Sequence, residues 1–126
     1  MKFFLTALTA LALSAGAAAA QERKIGSYTA MIGPQDLVNS SGKRLTSAGA
    51  ILAQDRANYH RFGIRQQGDQ GDPWFGARGQ RAAIPSLVQM PDWAAKRIVT
   101  QGAFVFVTVY ATPDGQMTRL HVQIPG

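Results

Sequence analysis

Apolar and polar residues alternate most clearly at the two ends of the folded region. Ala103-Phe104-Val105-Phe106-Val107-Thr108-Val109-Tyr110 is rich in β-formers and apolar on both faces, which suits a central strand. Thr112-Pro113-Asp114-Gly115 fits a type I turn with glycine in the left-handed region. Thr118, Leu120, Val122 and Ile124 then alternate with Met117, Arg119, His121 and Gln123, so the C-terminus reads as a hairpin. Near the other end, residues 24–33 place Tyr28, Ala30 and Ile32 on one side of a strand and Ile25, Ser27, Thr29 and Met31 on the other. Pro34 stops that strand because it has no N–H for a ladder.

Between these strands the period changes to that of a helix. Ala48, Ile51, Leu52, Tyr59 and Phe62 fall within one arc about 100° wide. Thr46 or Ser47 can cap that helix, and Gly63 is placed to end it. A second helix is expected over 91–101. Asp92 lies at its positive end, Ala94, Ala95, Ile98 and Val99 form its apolar face, and Gly102 follows. Asp72-Pro73 reads as the start of a short helix carrying Trp74 and Phe75, and 66–72 as a polar, glycine-rich loop. The pattern predicts a single small α+β domain over 21–126. Its antiparallel sheet has about three strands, including the C-terminal hairpin, packed by two or three helices.

The first twenty residues read as a signal peptide. Lys2 supplies the positive start, residues 3–13 the short apolar run, and Ala18-Ala19-Ala20 a cleavage site. Cutting after Ala20 takes twenty of the 126 residues and leaves 106, so a periplasmic or secreted location is expected. The sequence has no cysteine, which excludes thiol chemistry and leaves stability to packing. Loss of Lys2 leaves 12 of the 13 Lys and Arg against 7 Asp and Glu, a net charge of +5. Such a balance favours an anionic glycan, a lipid head group or an acidic protein as partner. The basic residues come as scattered pairs rather than as one run.

Candidate chemistry concentrates between Asp55 and Phe75. Asp55 falls inside the apolar arc of the first helix, where a carboxylate must be paired, hydrogen-bonded or protonated. It is read as a structural polar latch, accepting loop N–H groups or an arginine such as Arg65. Arg56, His60 and Arg61 fall outside that arc. With Trp93, Lys96 and Arg97 on the polar side of the second helix, they form the candidate binding set. Asp69 is read as a turn residue and Asp72 as a cap; Trp74 and Phe75 are read as core. No catalytic constellation, metal-ligand set or cofactor motif is expected from the spacings.

Tyr28-Thr29-Ala30, Asn39-Ser40-Ser41-Gly42, Arg44-Leu45, the run from Gln54 to Gly63, Gly68-Asp69 and Asp72-Pro73-Trp74-Phe75 together resemble short exported bacterial proteins of unknown function. The resemblance covers under half the chain. It implies export, and it brings with it no activity, ligand or catalytic residue.

The preferred reading is an exported, soluble, non-enzymatic module that binds an anionic partner. Two alternatives stay open. One is a small periplasmic hydrolase using Asp55, with His60 or with Asp69 and Asp72. The other is an accessory protein that pairs through a sheet edge.

Overall fold

The computed structural model describes residues 21–126. The expected signal peptide, residues 1–20, lies outside them. The elements run β1 (Arg23–Met31), α1 (Ala48–His60), α2 (Arg78–Ala82), α3 (Ile84–Leu87), β2 (Val88–Gln89), α4 (Asp92–Gln101), β3 (Phe104–Ala111) and β4 (Met117–Gln123), with one 3-10 turn at Pro34–Asp36. The fold is α+β, as the pattern predicts.

The sheet has four strands rather than about three, in the order β1-β3-β4-β2. β1 and β4 flank β3 antiparallel, whereas β2 runs parallel to β4 and makes the sheet mixed. β2 pairs only Val88 with Leu120 and Gln89 with His121, which is too short for any alternation to show. Register fixes which side is buried. Tyr28 and Ala30 pair with Val107 and Val105, Val107 and Val109 pair in turn with Val122 and Leu120, and Ile32 follows beside Ala103, all of them buried. Ile51 and Leu52 of α1, Ile84 of α3, Ile98 of α4 and Phe75 close over them as one core.

Ser47 caps α1, its Oγ accepting from the Ala50 N–H at 3.2 Å. The helix ends at His60, and Gly63, at φ +65, turns the chain so that the Ile64 N–H donates to the Asn58 carbonyl at 2.8 Å. That early end corrects the expectation for Phe62. It lies beyond the helix, off the apolar arc, and is 43% exposed.

The short helix expected at Asp72 is also corrected: residues 73–77 are a series of bends, and helix begins at Arg78. The capping role survives, since Asp72 Oδ1 accepts from the Trp74 and Phe75 N–H groups at 2.8 and 2.6 Å. The outer edge of β1 is covered by the loop over 66–70. Its Asp69 carboxylate accepts from the Met31 N–H, Gln70 exchanges bonds with Thr29, and Gln66 Nε2 donates to the Met31 carbonyl.

Candidate functional site

Asp55 is buried, at 2% exposure, as its place in the apolar arc predicts. Its partner is the adjacent Arg56 rather than Arg65. Arg56 Nε donates to Asp55 Oδ2 at 2.8 Å, while one Nη donates to Asp72 Oδ2 at 2.8 Å and to the Gln70 carbonyl at 2.9 Å. The guanidinium lies 4.3 Å from the centre of the Tyr28 ring and 4.9 Å from that of Tyr59. Ring faces therefore stand where its second Nη meets no acceptor among the described residues.

This side chain is wholly buried, which corrects its expected place on the outer side of the helix. A helical wheel assigns one burial arc per helix. Here the 66–75 loop packs on a second flank and buries Arg56 as well.

His60 joins the same latch, its Nε2 standing 2.7 Å from Asp72 Oδ2. A second polar tie lies beside it. Asn58 Nδ2 donates to Asp36 Oδ1 at 2.8 Å, and the Gly33 N–H donates to Asp36 Oδ2.

Burial pushes the Asp55 carboxyl up to about 7, against the pull of the Arg56 cation. Burial likewise raises Asp36 above the usual carboxylate range, outweighing its bonds from Gly33 and Asn58. Asp72 goes the other way. Burial would raise it, but hydrogen bonds from His60, Arg56 and the Phe75 N–H outweigh that and hold it low. Asp69 is engaged as the turn residue expected, accepting from the Met31 and Gln66 N–H groups at 2.8 Å each. Among the described residues no group of His, Asp and Glu is arranged to hold a metal ion.

Arg61 is exposed and faces a different environment. It lines a groove of about 310 Å³ between α1 and the α2–α3 segment, together with Arg78, Arg81, Gln54, Ser40 and Phe62. Arg81 is 7% exposed and anchored by bonds from its Nη1 to the Phe75 and Gly76 carbonyls at 3.2 and 2.9 Å. Arg61 lies 5.0 Å from the centre of the Phe62 ring. No acidic side chain lines the groove, and none of the three arginines meets a carboxylate among the described residues.

Sequence reading passed over Arg78 and Arg81. Their i,i+3 spacing would place both on one helical face, but Gly76 and Gly79 argue against a helix there. Trp93, Lys96 and Arg97 are exposed on α4, as expected, with Trp93 at 58%. Trp93 borders a separate cleft with His121 and Gln123, and Lys96 a hollow beside Thr46 and Ser47. The six candidate residues thus divide among three places: Arg56 and His60 in the latch, Arg61 in the groove, and the other three on α4.

β3 is central, but only one of its faces is deeply buried. Val105, Val107, Val109 and Ala111 are at 0%, whereas on the other face Phe104 is 36% exposed, Phe106 and Tyr110 are half-buried, and Thr108 alone is buried, at 6%. Arg119 covers Tyr110 at 3.7 Å from the ring centre and donates to Glu22 Oε1 at 2.6 Å. Apolar residues on both sides of this strand therefore mark a central position without marking two helix layers.

No family model, curated protein or solved structure matches the chain. The functional reading rests on the geometry above.

Proposed function

We propose that the protein is an exported, non-enzymatic module that binds an anionic partner through the Arg61–Arg78–Arg81 groove. One observation carries this reading: three arginines line one concavity in which no carboxylate balances them. Arginine suits the task because its guanidinium stays charged and presents paired N–H groups to carboxylate, sulfate or phosphate. Arg81, fixed by two backbone carbonyls, gives the site a rigid floor, and Arg61 and Arg78 form its accessible rim. The net positive charge adds long-range attraction for an anion. Export rests on the N-terminal sequence. Among the described residues no helix is long and apolar enough to cross a membrane.

The alternatives have less support. Asp55 lines none of the cavities described above, and its carboxylate is held by Arg56, which argues against a hydrolase built on it. Pairing through the β1 edge would have to displace the 66–70 loop.

The test is binding of residues 21–126 to inorganic polyphosphate, heparin and hyaluronate, measured by interferometry between 50 and ~300 mM salt, the range over which screening acts. At least one probe should bind with steep salt dependence. Arg61→Gln/Arg78→Gln should weaken that binding ~10-fold or more, about 1.4 kcal/mol. Failure of all three probes to bind, or binding indifferent to the double substitution, overturns the reading.

A further inference from the structure

The arginine groove has a neighbour of different chemistry. A second cavity of about 240 Å³ shares Ser40, Gln54 and Phe62 with it, so the two lie side by side along α1. No charged residue lines this second cavity. Its polar walls are the amides of Gln35, Asn39, Gln54 and Asn58, and its apolar wall is Phe62 with Ile64. Phe62 and Ile64 are 43% and 44% exposed, the two most exposed large apolar side chains after Trp93 among the described residues.

The amides are set by a short relay. Asn58 Nδ2 donates to the Gln35 carbonyl and to Asp36, and Asn58 Oδ1 accepts from Gln54 Nε2 at 2.9 Å. That relay commits one end of Gln54 and leaves its Oε1 as an acceptor. Asn39 Oδ1 accepts from the Ser41 and Lys43 N–H groups, which leaves its Nδ2 as a donor. The Gln35 amide and the Ser40 hydroxyl add further donors and acceptors.

We infer that the joined cavities form a subsite for an acidic oligosaccharide: one sugar ring in the amide-lined arm, with the carboxylate or sulfate of the adjoining unit on the arginines. This rests on the anion-binding reading above and names the class of anion. Hydroxyl and acetamido groups both donate and accept, as do the amides facing them. The C–H face of a sugar ring packs on an aromatic wall, which Phe62 supplies at the junction. At about 240 Å³ the amide arm falls below the roughly 300–1,000 Å³ of drug-sized pockets, which suits a single ring. A bare inorganic anion would leave that arm idle. A lipid tail would meet amides along most of its wall.

The experiment compares hyaluronate and heparin octasaccharides with inorganic polyphosphate of matched charge, on the wild type and on Gln35→Ala/Ile64→Ala, two residues that line the amide arm and not the arginine groove. Both substituted side chains lie outside the core, and a thermal melt checks that the variant folds. At least one octasaccharide should bind the wild type tenfold or more tightly than polyphosphate. The double substitution should remove that preference and leave polyphosphate binding unchanged. Arg61→Gln/Arg78→Gln should weaken every probe. Equal binding of polyphosphate and both octasaccharides, or a preference that survives Gln35→Ala/Ile64→Ala, overturns the glycan assignment while anion binding stands. No binding of any probe to the wild type, or binding of every probe that is indifferent to Arg61→Gln/Arg78→Gln, overturns both.

Discussion

Replacing Arg56 with methionine tests the buried latch most directly. The substitution keeps a long side chain but removes the cation that holds two carboxylates. Asp55 loses its 2.8 Å bond from Nε, and Asp72 Oδ2 and the Gln70 carbonyl lose their shared Nη donor. Both side chains in the Arg56–Asp72 pair are at 0% exposure, so water cannot replace the lost partner without local opening. Breaking a buried pair from one side costs about 3–5 kcal/mol. Domains of this size are stable by only about 5–15 kcal/mol. The melting temperature should fall by on the order of 15–25 °C.

The sign of the pH dependence also follows. The folded-state value of Asp55, about 7, lies above its ordinary 3.8. The folded chain therefore keeps a proton that the unfolded chain releases. Stability from this group is full below pH 3.8 and is lost as pH rises towards 7. Asp72, held low, contributes the opposite: stability present above its ordinary 3.8 and lost as pH falls below it. Arg56→Met removes the cation from both, so stability should drop more steeply between pH 5 and about 8 than in the wild type. Circular-dichroism melts and urea midpoints across that range measure both effects. Adding Asp55→Asn and Asp72→Asn to Arg56→Met should recover part of the loss, because no orphan charge remains. A single variant that loses under ~1 kcal/mol, or a triple variant less stable than the single, would refute the latch as the cause.

Other outcomes follow from particular contacts. Asp69→Ala removes the acceptor for the Met31 and Gln66 N–H groups, so amide exchange at both should accelerate while exchange in β3 stays slow. Gly49→Ala and Gly79→Ala should have opposite signs in thermal melts. A Cβ at Gly49 would stand 2.8 Å from Pro85 Cα, so overpacking of about 1–3 kcal/mol outweighs the helix-propensity gain. At Gly79 nothing lies within 4 Å, and up to ~1 kcal/mol of propensity is gained. Trp93→Ala should leave the melting temperature within a few degrees of wild type, since the side chain is 58% exposed and outside the core.

Period and punctuation determined much of this fold before any tertiary contact was known. Alternation around Tyr28 and Val107, the helical stripe of Ile51 and Leu52, and the Pro113-Asp114-Gly115 turn are local signals, and each became the expected element. The burial of Asp55 was legible for the same reason, because a wheel places it among apolar neighbours. What the tertiary structure alone decided depends on segments distant in sequence. Arg56 is buried because the 66–75 loop folds onto a helix flank that the wheel leaves open. β2 exists because two residues happen to reach the edge of β4. Phe62 faces solvent because α1 stops two residues before it. Arg61, Arg78 and Arg81 line one groove because α1 and the α2–α3 segment pack side by side, bringing residues 61 and 81 together across a loop that no periodicity describes.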